Sequence, residues 1–147
     1  MTPAMRFAFV GRCPCSIVSA PLIIGMDITD KATVDAVWPI LSNKEAIAVN
    51  QAWAGHPGRL VLEDPEDAQN SWQIWAKAMP AGGQAVFVVN RGTKAVDVSV
   101  SLASVGLAGT SYKARDIWAQ KDIGQVTGTW KLASLGAHDS AFVRFSK

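Results

Sequence analysis

The segment Gln84–Asn90 has the sequence QAVFVVN, and the five residues between its polar ends are all apolar. A short apolar run rich in β-branched residues is typical of a central strand that is buried on both faces. Residues 95–101 have the sequence AVDVSVS, in which valine alternates with small or polar residues. This alternation predicts a second strand with one buried face. The two segments together place the core of the protein in a β-sheet.

Further strands are predicted on both sides of this pair, because alternation with a period of two begins at Arg59 and recurs to the C-terminus. Glycine- and proline-containing turns separate the strands, as at residues 80–83 and 106–109. The predicted strands are residues 60–63, 72–77, 84–90, 95–101, 112–118, 127–132 and 140–145. Short strands at regular spacing predict a mainly β protein, an antiparallel β-sandwich of about seven or eight strands with Greek-key connections.

The chain before Pro57 has a different pattern. Residues 21–25, with the sequence PLIIG, form an apolar run closed by glycine, which predicts a buried strand of a parallel sheet. Helical spacing follows at Val34, Val37, Trp38 and Leu41. Pro39 lies inside that pattern and should kink or shorten the helix.

A second helix is predicted over residues 43–50, with Ile47 facing inward. Ser42 and Glu45 have the spacing of a capping box, in which each side chain hydrogen-bonds a backbone N–H of the other residue. The first third of the chain therefore has the order strand, helix, helix, which is typical of the end of an α/β unit.

Length, charge and hydropathy exclude several classes of protein. A complete (β/α)8 barrel needs about 250 residues, whereas this chain has 147. Fourteen Lys and Arg against twelve Asp and Glu give a net charge of +2, without the basic excess of a nucleic-acid-binding protein. The longest uncharged apolar stretch, residues 16–26, is much shorter than the roughly 20 residues of a membrane helix. We expect neither nucleic acid nor membrane as a partner.

Few residues suggest chemistry of their own. Cys13 and Cys15 have no other cysteine or suitably spaced histidine to complete a four-ligand zinc site, so we expect no metal and no cofactor. Residues 63–67, EDPED, hold four carboxylates in five positions. Such a segment is either a Ca²⁺ loop or catalytic carboxylate pair, or a solvated turn, and like-charge repulsion favours the turn.

The histidines and tryptophans each allow two interpretations. His56 stands alone, and residues 138–140, HDS, resemble a catalytic triad only in composition, so structural or surface roles are favoured. Four of the six tryptophans lie in the β region and could stack on sugars or pack in the core. Trp72 and Trp75 differ in parity and must point to opposite faces of one strand, which favours packing.

Several stretches resemble one known family when they are taken together and in order. Residues 19–27, SAPLIIGMD, and residues 42–51, SNKEAIAVNQ, are similar to the last barrel strand and helices of the α-galactosidases of glycoside hydrolase family 27. The family's later motifs resemble residues 74–77 (IWAK), 85–92 (AVFVVNRG), 115–118 (RDIW) and 121–124 (KDIG). The resemblance covers about residues 16–147.

The resemblance implies a domain plan, since the family has a (β/α)8 barrel followed by an antiparallel β-sandwich. Residues 16–57 would be the last strand and helices of the barrel, and residues 58–147 the C-terminal sandwich. Residues 1–15 depart from the family pattern. We hypothesise that the chain is a fragment of a longer gene, with a truncation or a misplaced start.

The resemblance also implies a retaining glycosidase that hydrolyses terminal α-D-galactosyl residues of oligosaccharides or galactolipids. The family's nucleophile and acid/base are Asp residues of earlier barrel strands, so no catalytic role passes to this chain. Asp27, at the end of the predicted barrel strand, would either support the site from nearby or hold the structure of its loop. Met26 and Ala52 depart from the family pattern around these positions.

These implications leave two functions to compare. In the first, the chain is part of an α-galactosidase, inactive alone and associated with the missing barrel part. In the second, it is a non-catalytic carbohydrate-binding or structural β-sandwich module.

Overall fold

The computed structural model describes residues 15–23, 25–67 and 71–147. Within these ranges a helical turn at residues 15–18 precedes two helices and eight strands. The helices are α1 (Lys31–Leu41) and α2 (Lys44–Gln51). The strands are β1 (Arg59–Glu63), β2 (Trp72–Ala78), β3 (Gln84–Asn90), β4 (Val96–Ser101), β5 (Ser111–Asp116), β6 (Lys121–Thr127), β7 (Thr129–Leu135) and β8 (Ser140–Ser146).

The strands form two antiparallel sheets. The larger sheet has the order β1-β2-β3-β8-β5-β6, and the smaller sheet pairs β4 with β7. The chain changes sheet after β3, β4, β6 and β7, so that β8 returns to lie between β3 and β5. The predicted mainly β, antiparallel sandwich is confirmed.

The first hydrophobic core lies between the two sheets. The rings of Trp130 and Phe145 meet there edge to face, with centroids 5.7 Å apart. Other members of this core are Ile74, Val86, Val88, Val98, Val100, Leu102, Tyr112 and Val143. Burial of these side chains is the main energy that holds the sheets together.

A second core lies on the other face of the large sheet, beneath the helical layer. Phe87 and Phe142 pack edge to face at 5.9 Å, and Ile17 and Val49 from the helical segments pack with them. Strand β3 therefore contributes alternate residues to both cores. This double burial explains why the QAVFVVN segment is apolar throughout, and it confirms the prediction of a central strand.

Two sequence predictions about strands differ from the structure. Among residues 21–25, the described ones carry no strand assignment, and Ile23 is 80% exposed; Ile24 lies outside the described residues. A buried parallel strand needs neighbours on both sides, and none of the eight described strands pairs with this segment. Strand β6 went unpredicted because it is an exposed edge strand with no apolar alternation.

The helices begin at caps that the sequence only partly indicated. Asp30 caps α1 by accepting from the N–H groups of Ala32 and Thr33, and α1 ends two residues after Pro39. Asn43, not Ser42, caps α2: its Oδ1 accepts from the N–H of Glu45 at 3.0 Å and of Ala46 at 3.1 Å. The predicted capping box is wrong because the Ser42 hydroxyl donates instead to the Trp38 carbonyl, at 2.8 Å.

The turn between β2 and β3 provides a test of the fold. Gly82 and Gly83 have similar positive φ values, 83° and 84°, but a Cβ at Gly82 would meet nothing within 4 Å, whereas one at Gly83 would lie 2.0 Å from the Phe145 carbonyl oxygen. We expect Gly82→Ala to lower the free energy of unfolding by about 1 kcal/mol through backbone strain alone. Gly83→Ala should cost about 3 kcal/mol or more, because β8 must also move. Urea denaturation of both variants measures the difference, and equal losses would contradict the described approach of β8.

Candidate functional site

Helix α2 lies over a row of side chains that crosses the large sheet. Cross-strand pairing aligns Lys77 of β2 with Ala85 of β3, Ala85 with Arg144 of β8, and Arg144 with Arg115 of β5. Three inter-strand spacings give this row a length of about 14 Å. The eight residues of α2 span about 12 Å. The helix is thus the right length to reach from β5 to β2, and a cation of the sheet contacts each end.

The N-terminal end of α2 is fixed to β5. The Glu45 carboxylate accepts two hydrogen bonds from Arg115, from Nε at 2.8 Å and from Nη2 at 2.6 Å. Asp122 of β6 accepts from Nη1 of the same guanidinium at 3.0 Å. Both carboxylates raise the pKa of Arg115, and the hydrogen bonds to Glu45 and Asp122 are the largest cause. The Asn43 amide adds a buried hydrogen bond to the Ile117 carbonyl at 2.8 Å.

The C-terminal end of α2 is fixed to β2 by a buried cation. Lys77 is fully buried, and its ammonium donates to the carbonyls of Val49 and Asn50 and to the Ser19 hydroxyl, the last at 2.6 Å. Burial lowers the pKa of Lys77. The three acceptors, two of them at the negative end of the helix dipole, compensate its lost hydration.

The Asn50 side chain connects the end of α2 to the segment that precedes α1. Its amide donates to the carbonyls of Cys15 at 3.0 Å and Ala20 at 2.8 Å. The turn at residues 15–18 is thereby held against the second core.

Arg115, Lys77 and Asn50 are the residues that sequence reasoning missed, although each lies in a motif quoted above. For Lys77 the sequence does hold a signal, because this lysine falls at a position of a mostly buried strand where the side chain faces inward. The opposite charges of Glu45 and Arg115, 70 positions apart, gave no local pattern. The motifs at residues 42–51, 74–77 and 115–118 meet at one interface, and what they do there is fix a helix to a sheet.

Asp27 makes its side-chain hydrogen bonds within its own loop. It is exposed, and its Oδ1 accepts from the backbone N–H of Thr29 at 2.8 Å and from the Thr29 hydroxyl at 2.7 Å. Those hydrogen bonds lower the pKa of Asp27. The geometry is that of a local turn, which favours the loop role.

Three of the four carboxylates of residues 63–67, those of Asp64, Glu66 and Asp67, line one open cleft of about 550 Å³ together with His138. Glu63 instead accepts a hydrogen bond from Gln73 at 3.2 Å. Asp64 accepts from the backbone N–H of Glu66 at 3.0 Å, and hydrogen bonds from Ser71 and Glu66 lower its pKa. Asn90, at the same cleft, donates to the carbonyls of Lys94, Leu135 and Gly136. Across residues 15–23, 25–67 and 71–147, no group of three or more His, Cys, Asp or Glu is placed to hold a metal ion.

Residues 138–140 run from a turn into the start of β8. His138 has a left-handed φ of 52°, and the Asp139 carboxylate accepts from the backbone N–H of Ser140 at 2.8 Å. The Ser140 hydroxyl is buried without a hydrogen-bond partner in the described part of the chain. His56 contacts the Pro57 carbonyl through Nδ1 at 2.8 Å.

The four tryptophans of the β region pack in the cores, as favoured from the sequence. Trp72 and Trp130 belong to the first core, and Trp75 and Trp118 to the second. The predicted opposite directions of Trp72 and Trp75 are confirmed. None of the helices in the described ranges is long and apolar enough to cross a membrane.

Fold and contacts define a class of protein, an antiparallel β-sandwich domain with a short helical layer docked on the outer face of its large sheet. Residues 69–145 match the family described as the alpha galactosidase C-terminal beta sandwich domain. The chain belongs to that family, and the resemblance inferred from its motifs is confirmed.

Sequence similarity to two plant proteins covers more of the chain than the sandwich alone. Alpha-galactosidase 3 of Arabidopsis thaliana is 34% identical over 84% of this chain, and an alpha-galactosidase of Oryza sativa subsp. japonica is 33% identical over 84%. The chain spans only 28% of the length of each relative.

Two solved structures share the fold of this chain. A GH27 β-L-arabinopyranosidase from Geobacillus stearothermophilus superposes with a TM-score of 0.84 and 29% identity, over 97% of this chain and 30% of the other. Alpha-galactosidase I from Mortierella vinacea, at 22% identity, shares the fold with a TM-score of 0.83, over 99% of this chain and 36% of its own.

The Lys77 contacts lead to a stability prediction. Lys77→Met keeps the length of the side chain but leaves two helix carbonyls and the Ser19 hydroxyl without their donor. We expect the free energy of unfolding to fall by at least about 2 kcal/mol, the usual cost of unsatisfied buried polar groups. Lys131→Met, at an exposed position of β7, is the matched control and should change stability by less than about 0.5 kcal/mol. Equal urea midpoints for the two variants would show that Lys77 does not hold the helix.

Proposed function

We propose that this chain serves as the C-terminal part of an α-galactosidase-type retaining glycoside hydrolase. The reaction would be hydrolysis of terminal α-D-galactosyl residues in oligosaccharides or galactolipids. The observation that carries the proposal is membership of the α-galactosidase C-terminal sandwich family, together with relatives named alpha-galactosidase that match both the sandwich and the helical layer.

In this proposal the chain supports hydrolysis without performing it. A retaining enzyme needs two carboxyl groups about 5–5.5 Å apart, one as nucleophile and one as acid/base. Four carboxylates of the chain have structural partners: Glu45 and Asp122 bind Arg115, Asp30 caps α1, and Asp27 holds its own turn. The nucleophile and the acid/base would come from barrel strands outside these residues.

The same proposal assigns residues 16–57 to the end of the barrel and residues 58–147 to the sandwich. The four most exposed large apolar side chains of the described residues lie in the helical segment: Ile23 is 80% exposed, Ile28 72%, Trp53 59% and Trp38 55%. Those of the sandwich are less exposed, with Leu62 at 46% and Ile123 at 44%. Clustering of apolar exposure in one part of a chain is typical of a surface that another protein element covers. We assign that role to the rest of the barrel.

The alternative of a sugar-binding sandwich module has less support. Stacking on a sugar needs an exposed aromatic face, and the four tryptophans of the sandwich pack into its two cores. Trp38 and Trp53, the exposed ones, lie in the helical segment instead.

The proposal predicts two results with p-nitrophenyl-α-D-galactoside. The purified chain should release no p-nitrophenol above the buffer rate. A chimera of the Oryza sativa relative, in which residues 58–147 of this chain replace the matching sandwich, should hydrolyse the substrate. p-Nitrophenyl-β-L-arabinopyranoside is the second substrate to assay, given the Geobacillus neighbour.

A matched chimera that carries Lys77→Met controls for the docking of the sandwich and should lose most of the activity. Turnover by the 147-residue chain alone would contradict the proposed division of roles. A folded chimera without activity on either substrate would count against the assignment of the sandwich to this type of enzyme.

A further inference from the structure

The face of the large sheet that carries α2 extends beyond the helix onto β5, β6 and β8. There Lys113 pairs across strands with Ser146, and Arg115 pairs with Arg144. Gln125 of β6 pairs with Lys113 on its other side. Residues two apart on a strand share a face, so these five side chains form one compact group on the same face of the sheet.

The charges in this group do not balance. Arg115 carries one positive charge, and the two carboxylates that bind it, those of Glu45 and Asp122 at 2.6 Å and 3.0 Å, carry two negative charges. Arg144 and Lys113 are exposed, and neither makes a hydrogen bond or ion pair within residues 15–23, 25–67 and 71–147. Arg144 also lies directly opposite Arg115, and like charges in that arrangement repel. The five charged groups of this face therefore sum to +1, and two of the cations have unused donors that could bind an anion.

A cleft opens at these side chains. It has a volume of about 390 Å³, and Lys113, Arg115, Asp122, Gln125, Arg144 and Ser146 line it. Gly124 borders the same cleft with a φ of 93°, and a Cβ there would meet nothing within 4 Å, so space is open on the β6 side. A smaller cleft of about 140 Å³ shares Arg115 and Arg144 and leads to α2.

The neutral groups of the cleft are suited to a polar ligand. Gln125 uses its Oε1 to accept from Ser111 at 3.1 Å, which leaves its amide N–H groups to donate. The Ser146 hydroxyl can donate or accept. Together with the guanidinium of Arg144, which matches a carboxylate or phosphate in two parallel hydrogen bonds, they place donors along the open space, which the Asp122 carboxylate also lines.

We propose that this cleft binds an oxyanion group of a small ligand, either a carboxylate or a phosphate. Arg144 and Lys113 supply the charged donors, and Ser146 and Gln125 supply neutral hydrogen bonds. The proposal rests on the geometry of this cleft and not on the function proposed above.

Titration of the ¹⁵N-labelled full chain tests the proposal by NMR at low ionic strength. D-galacturonate, inorganic phosphate and neutral D-galactose are the three probes, and galacturonate differs from galactose by its carboxylate at C6. Galacturonate or phosphate should cause saturable shifts of the amides of residues 113, 125, 144 and 146. The affinity should weaken as salt is added, because screening reduces the attraction between exposed charges.

Variants separate this site from general attraction to a cationic protein. Arg144→Gln and Lys113→Gln should each weaken binding at least about tenfold, the usual effect of losing a charge-assisted hydrogen bond. Lys131→Gln, an exposed lysine of the other sheet, should leave the affinity unchanged. A thermal melt of each variant within 2 °C of the parent, about the shift expected for a surface change of a few tenths of a kcal/mol, would show that folding is intact.

The probes also identify the source of the oxyanion. Tighter binding of galacturonate than of phosphate supports an acidic sugar, and equal or tighter binding of phosphate supports a phosphate-bearing ligand. The proposal is overturned if neither anion gives saturable shifts, if galactose binds as well as galacturonate, or if Arg144→Gln and Lys131→Gln bind alike.

Discussion

The structure depends on the way helix α2 is held across the large sheet. Arg115 fixes the helix at its first turn through Glu45, and Lys77 fixes it at its last turn through the carbonyls of Val49 and Asn50. Between these two ends, Ala46 and Val49 cover the aromatic rings of the second core. Apolar burial drives the association, and the two polar contacts set the position and direction of the helix. Lys77 complements the negative C-terminal end of the helix dipole, and Glu45, which complements the positive N-terminal end, links that end to Arg115.

This arrangement changes the meaning of the motifs that carried the family resemblance. A charged residue in a motif of an enzyme family is readily taken for part of the active site. Here Glu45 of α2 binds Arg115 of β5. Lys77 of β2 binds the end of α2 and the Ser19 hydroxyl. Both contacts lie between the helical layer and the sandwich. In the function we propose, that contact joins the last part of the barrel to the C-terminal sandwich. The motifs would then maintain the geometry of the barrel, whose other strands carry the catalytic residues.

The parts of the fold that were predictable are those in which a single segment carries its own signal. Strand β3 is apolar throughout because it contributes to two cores, and the parity of Trp72 and Trp75 separates those cores. Residues 21–25 have an equally apolar signal but no neighbouring strand among the described residues, so their sequence predicts an environment that the described chain does not supply. The cap at Asn43 and the contacts of Lys77 depend on residues far along the chain, which no local pattern reveals.

Amide hydrogen exchange measures most directly whether helix and sandwich are one cooperative unit. The backbone amides of Ala48–Gln51 and those of Phe87 and Val88 should exchange with the same free energy of opening, that of global unfolding, because the helix cannot leave without uncovering the second core. Exchange of the α2 amides at a free energy several kcal/mol below that of the β3 amides would contradict the account, since it would show that the helix detaches from an intact sandwich.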